Sequence, residues 1–255
     1  MAHIKIKPLL QFSSAGYDSV MAQTSPDVNN TEVLQKIKKD ASGFTALTKW
    51  NETTLATGFP YTHKGETKMF IEPNPVVSFY ATAHQFTMSS IRLRDDLLKD
   101  ADIFNLHGGE NLKRTSGFVS TASVAIVFMF TSIETLLNII IEGHKGDFII
   151  KSEVIPKEKI LWWSPEDKIK KVLLNINPKC FHVVEGKKYF QITKLLAMRN
   201  SIMHFKIDND STMIANRTFI ENLLKFEYNK TLDATKDFIN YYMTDLIENC
   251  DCGKD

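Results

Sequence analysis

From Val119 to Ile141 the chain is almost wholly apolar: Val124 to Phe130 is unbroken, and Ile133, Leu136, Leu137, Ile139, Ile140 and Ile141 follow. A run of this length is either a membrane span or the central helix of a large core. Glu134 and Asn138 lie within it, and both are costly in hydrocarbon, so the reading is a buried core helix from about Phe118 to Glu142, ending at Gly143. Such a helix needs several partners to cover it. A chain of 255 residues with 43% hydrophobic content can supply them without disulfides or metals, as one large domain or two unequal ones.

Those partners are legible after Pro73. Asn74 and Pro75 form an N-cap and first-turn pair opening a helix to about Phe104, before a loop at His107, Gly108 and Gly109. Ser164, Pro165, Glu166 and Asp167 have the same character and start a helix to about Asn175. A further segment covers about Lys188 to Phe205. Thr218 with Glu221 has capping-box spacing for another helix. The last is expected from about Asn229 to Asn249, with Leu232, Phe238, Ile239, Tyr242, Met243 and Leu246 on one stripe. The fold class is therefore mainly α, a bundle of five or six helices over residues 74–255.

Residues 1–73 differ and read as a small α/β cap. His3 to Lys7 alternates at period two, and runs rich in Thr and aromatics occur at Phe44 to Trp50, Thr53 to Phe59 and Thr67 to Ile71, divided by Gly58, Pro60 and Gly65. Thr31 can cap a helix over Glu32 to Lys39.

Net charge is +1, which excludes a protein that holds nucleic acid by a dense positive coat; any such contact must be local. Three cysteines, Cys180, Cys250 and Cys252, do not make a secreted disulfide framework, and Cys250-Asp251-Cys252 reads as a tail. Met1 to Leu10 lacks the apolar core of a signal peptide. A soluble, cytoplasmic protein with no membrane association is the expectation. The histidines His63, His84, His144 and His182 lack metal spacing, and no metal or cofactor is implied.

The segment with most chemical content is Arg199 to His204. Ile192, Leu195, Leu196, Ile202 and Met203 form a buried stripe, and counting from Ile192 places Arg199 on it. A guanidinium there must meet a carboxylate or emerge where an anion can reach it. On a continuous helix Asn200 and His204 share an edge, whereas Arg199 and His204 are about 140° apart. Their convergence needs the helix to end near His204, or a partner chain.

Arg199-Asn200-Ser201-Ile202-Met203-His204, preceded by Leu195-Leu196-Ala197-Met198, resembles the R-N-x-x-x-H form of the HEPN-domain motif. Ser132 to Asn138 is similar to the family's preceding core helix, which often carries a polar residue facing the motif, here Glu134 or Asn138. The likeness covers roughly Pro75 to Asn249. It implies a bundle that often dimerises and, in many members, a metal-independent endoribonuclease of toxin, abortive-infection or antiviral systems, with RNA as substrate and an antitoxin or defence protein as partner. Other members serve as non-catalytic modules that bind a partner protein or nucleotide.

These residue types suit that chemistry. RNA carries its own nucleophile, the 2′-hydroxyl, so a site needs a proton-transfer group and a positive charge. His204, with an ordinary pKa of about 6.5, can move the proton, and Arg199 can hold the phosphate oxygens, with Asn200 in support. The product is a 2′,3′-cyclic phosphate. The bland alternative is an Arg199 ion pair with Glu134 or Asp95 and a histidine satisfied at a helix end. Glu134 also fits a solvated helix edge with Thr131, Thr135, Asn138 and Glu142. Arg92 to Asp96 reads as a solvated face, and Trp162-Trp163 as a core anchor.

Overall fold

A computed structural model describes residues 3–13, 46–51, 54–99, 108–204 and 212–250. The chain is mainly helical with a smaller strand portion, and divides into two compact units, Ile6–Pro75 and the remainder. The expected helix at Glu32 to Lys39, the extension of the first bundle helix to Phe104, and Cys252 lie outside the described residues.

In the unit Ile6–Pro75, β1 (Gln11–Ser13), β2 (Ala46–Asn51), β3 (Thr54–His63) and β4 (Glu66–Ile71) form one antiparallel sheet. Ala56 pairs with both Gln11 and Thr48, and Gly58 with both Ala46 and Ile71. β1 and β4 therefore lie end to end along one side of β3, with β2 on the other. Beyond Gly58, among the described residues, β4 accompanies β3 in a ribbon closed by Lys64 (φ 49°) and Gly65 (φ 83°). Two positive φ values at the centre of a two-residue loop are what a twisted hairpin requires. Gly58 and Pro60 lie inside β3, not between strands, correcting the expectation that they divide the runs. At Gly58 a Cβ would stand 2.6 Å from the Phe70 carbonyl oxygen, so the residue is set by close backbone approach. The alternating His3 to Lys7 run is no strand: it contributes one bridge, Ile4 to Asn249.

The larger unit is a helical bundle of α1 (Pro75–Lys99, its first residue in the other unit), α2 (Gly108–Gly143), short α3 (Lys157–Ile160), α4, α5 (Phe181–Val184), α6 (Gly186–Met203), α7 (Thr212–Lys225) and α8 (Tyr228–Tyr242). Within α4, Pro165–Asp167 leads into a π-helical Lys168–Val172 and then Leu173–Ile176. α2 is about 54 Å long at 1.5 Å per residue, and packs against α6, α7 and α8. Its stripe of Phe118, Ala122, Ala125, Ile126, Met129, Ile133, Leu136 and Leu137 is fully buried in the main core. The helix passes the length and hydropathy test for a membrane span, yet half of its most apolar window is buried against protein. A second cluster of Ile141, Phe148, Ile150, Ile160 and Val172 seats the hairpin β5 (Phe148–Ile150) and β6 (Glu153–Ile155).

Several boundaries differ from expectation. α2 starts at Gly108, so Gly108-Gly109 is a helix start and not a loop; the added turns are polar, with Thr115 donating to Asn111 Oδ1 at 3.2 Å. Thr218 lies inside α7, where its spacing to Glu221 is simply one helical turn. α8 ends at Tyr242, seven residues early, because Asn240 turns its side chain to the following loop: its Oδ1 accepts from Ile247 N at 2.8 Å and its Nδ2 donates to Ile247 O at 3.0 Å. Ser164 caps α4 as expected, accepting from Asp167 N at 3.1 Å.

Glu227, just before α8, accepts from Lys194 of α6 at 2.8 Å, from Gln191 at 3.2 Å and from Lys230. These partners hold its carboxyl near about 2, below the ordinary 4.5. A depressed carboxyl contributes stability above its unfolded value that is lost as pH falls through the folded one. Acid unfolding of the wild type is thus predicted to steepen between about pH 4.5 and 2, and Glu227→Gln to flatten that interval in a pH series of urea melts. Gly58→Ala should destabilise the strand unit by about 1–3 kcal/mol, read as an early loss of its own unfolding transition.

Candidate functional site

α6 is held by Ile192, Leu195, Leu196 and Met198, all buried in the main core against α2 and α8. Met203 is 53% exposed and Ile202 only partly buried, which corrects the expected stripe: the helix rises out of the core over its last turn. It stops there. His204 leaves helical geometry at φ −126° and ψ 53°, and its backbone N–H closes the last turn on Asn200 O at 2.9 Å.

Arg199 is half-buried, and its guanidinium lies over the buried Phe130 ring of α2, 4.2 Å from the centroid. A planar, weakly hydrated cation stacks well on an aromatic face, so its position is set without a counter-charge. Nη1 donates to Asn200 Oδ1 at 3.1 Å, and among the described residues no carboxylate pairs with Arg199. Asp95, one structural candidate, pairs with Arg94 at 3.5 Å. Arg94 itself is half-buried, 5.6 Å over Tyr228 and donating to Phe226 O at 3.4 Å, so the Arg92 to Asp96 run is partly a packing element and not wholly a solvated face. Asn200 and His204 are exposed. The structure thus joins Arg199 with Asn200 directly and leaves the His204 ring at the surface one helical turn beyond.

Glu134 and Asn138 do not join them. Phe130, Glu134 and Asn138 form one i, i+4, i+8 strip on α2, so Asn138 is displaced from Phe130 by about 12 Å along the axis. There its Oδ1 accepts from Lys168 Nζ at 2.9 Å, while the same ammonium donates to Leu161 O at 2.8 Å. Lys168 is fully buried in the π-helical turn; burial pulls its pKa down and the Glu134 charge opposes that. Asn138, expected as a support for the motif, hydrogen-bonds a buried lysine. Glu134 lies between Phe130 and Asn138 along that strip, and its charge acts on Lys168. Sequence reading missed Lys168, since a lysine in Lys168-Ile169-Lys170-Lys171 looks like a charged surface.

Other chemically suggestive groups are less promising. Cys180 Sγ is 3.1 Å from His182 Nδ1, but burial raises the thiol pKa and lowers that of the imidazole, so both are favoured neutral and no thiolate is activated. Trp162 is 91% exposed, correcting its reading as a core anchor, whereas Trp163 packs on the second cluster with Lys171 5.7 Å over its ring. A hollow of about 300 Å³ is lined by Leu93, Asp96, Leu97, Lys99 and Arg114, none of them motif residues.

Neither family models, nor curated proteins, nor solved structures give a match to this chain. The site has to be judged on its own geometry.

Because Arg199 rests on a ring and has no carboxylate partner among the described residues, its loss should cost little stability. Arg199→Ala is predicted to change unfolding free energy by about 1–2 kcal/mol, the scale of a partly desolvated cation–π contact. A loss of about 3–5 kcal/mol in a urea melt, the scale for breaking a buried ion pair, would show a structural role instead.

Proposed function

We propose that this chain is a HEPN-like, metal-independent endoribonuclease acting in the cytoplasm as a homodimer, in a defence or toxin–antitoxin setting with an antitoxin or defence protein as its partner. The observation that carries the reading is the end of α6 at His204, which leaves an exposed imidazole and a half-buried guanidinium with no carboxylate partner among the described residues within one stretch of six residues.

In this reading Arg199 stays on Phe130 and offers its remaining N–H donors to the non-bridging oxygens of a phosphodiester. His204, neutral, takes the proton of the 2′-hydroxyl as the 2′-oxygen bonds to phosphorus. The bond from phosphorus to the 5′-oxygen breaks, and the leaving oxygen receives a proton from an imidazolium, either the same ring or that of the second subunit. The products are a 2′,3′-cyclic phosphate and a 5′-hydroxyl. Arg199 supplies charge stabilisation where charge develops, and Asn200 fixes the plane of its guanidinium. Exposed Met203 and Met213 on either side of the 205–211 segment provide apolar surface suited to a twofold partner.

One observation favours a second reading, a non-catalytic module that binds a partner protein or nucleotide at the same place. Asn138 hydrogen-bonds Lys168, so one of the two polar residues of α2 that the resemblance offers as support for the motif is engaged elsewhere.

Purified protein incubated with total RNA and EDTA separates the two. The nuclease reading predicts cleavage with cyclic-phosphate ends, reduced about 10²–10³-fold by Arg199→Ala and about 10²–10⁴-fold by His204→Ala. Intact RNA across a broad substrate panel, or cleavage unaffected by either substitution, leaves the binding module.

A further inference from the structure

The ribbon of β3 and β4 turns an unusual face outward. Side chains alternate along a strand, so Phe59, Tyr61 and His63 share a face, and the register adds their partners Phe70, Lys68 and Glu66. Three aromatic rings stand in the open: Phe59 is 40%, Tyr61 53% and Phe70 47% exposed. They hold one another in place. Phe59 and Phe70 stack with centroids 5.9 Å apart, and Tyr61 meets Phe70 edge-on at 6.2 Å. Tyr61 and His63 are nearly parallel, at 14°, with centroids 6.5 Å apart. Tyr61, His63, Lys64, Glu66, Lys68 and Phe70 line a hollow of about 450 Å³.

Among the described residues of this unit the buried hydrophobics are Leu55 and Ala56, which precede the ribbon in β3, and the contiguous exposed aromatic patch beyond them has the character of a binding surface. The charge beside it selects the occupant. Lys64 sits in the turn, and Lys68 pairs with an exposed Glu66 at 3.6 Å, a pair too weak to withhold the ammonium from a phosphate. Flat rings for bases flanked by mobile cations for the backbone are the two components of sequence-tolerant single-strand recognition. They also place the contact locally, as a net charge of +1 demands. A duplex keeps its bases stacked inside and cannot use the rings.

We propose that the outward face of the β3–β4 ribbon, with Phe59, Tyr61, His63 and Phe70 as stacking rings and Lys64 and Lys68 as phosphate contacts, is a binding platform for single-stranded RNA. This is a binding site in its own unit. It stands or falls independently of whether Arg199 and His204 cleave RNA.

The test uses the full chain and a short fluorescein-labelled 2′-O-methyl RNA, which cannot be cut by 2′-hydroxyl attack. Fluorescence anisotropy should show binding of the single strand well above that of the annealed duplex. Tyr61→Ala and Phe70→Ala should each weaken binding about fivefold or more, and Tyr61→Phe should stay within about twofold. Lys64→Gln and Lys68→Gln should each lower the slope of log affinity against log salt by about 0.7. To guard against a misfolded variant, wild-type protein is photocrosslinked to a 4-thiouridine strand; adducts on the β3–β4 peptide are the expected result. Equal affinity for duplex, unchanged affinity on loss of both rings, or adducts only elsewhere would overturn the proposal. So would a dimer formed without RNA and abolished by Tyr61→Ala, which would assign the face to a second copy of the chain.

Discussion

The burial of α6 is the constraint from which the candidate site follows. Ile192, Leu195, Leu196 and Met198 are fixed between α2 and α8, each fully buried aliphatic side chain contributing about 1.5–3 kcal/mol. That anchoring sets the rotation of the helix, and the rotation decides where Arg199 goes. With Leu195 and Leu196 facing inward, the next turn must carry Arg199 toward α2, and a ring at Phe130 receives it. Were the helix turned by one residue, the guanidinium would face either solvent or aliphatic core.

The same α2 strip handles two cations in different ways. At Phe130 it gives Arg199 a face to rest on while leaving its donors outward. At Asn138 it gives Lys168 an acceptor and, with Leu161 O, ties the ammonium into the interior. A guanidinium suits the first place, being planar and weakly hydrated; an ammonium suits the second, as a compact charge with three donors in different directions. The first arrangement leaves a cation available to a ligand. The second is a structural link between α2, the π-helical turn and the residue before the exposed Trp162.

Much of this organisation is legible in the residues, for physical reasons that also explain the failures. The apolar run after Phe118 and the Ser164-Pro165 cap are strong local signals, and the structure has both. The polar turns Gly108 to Gly117 carry no apolar face, so periodicity starts α2 too late. Thr218 and Glu221 have a cap's spacing, but any helix interior offers the same three-residue step. The β5–β6 hairpin turns through Lys151 and Ser152, both at positive φ, without the glycine or asparagine that would announce it. Within the site, the motif segment and the end of its helix are readable from Arg199 to His204. Phe130 as the rest for Arg199, and Lys168 as the partner of Asn138, depend on which faces of distant helices meet, and no local pattern encodes that. The aromatic face of β3 is visible as alternation, but alternation alone does not say which of the two faces is left exposed.

The central claim is that Arg199 and His204 address one phosphodiester. NMR of the side chains tests it most directly: the Arg199 Nε–H and the His204 Cε1–H are followed while an uncleavable 2′-O-methyl dinucleotide is added. Both signals are expected to move together with a single apparent affinity. Shifts at only one of them, or at neither under saturating ligand, would contradict it.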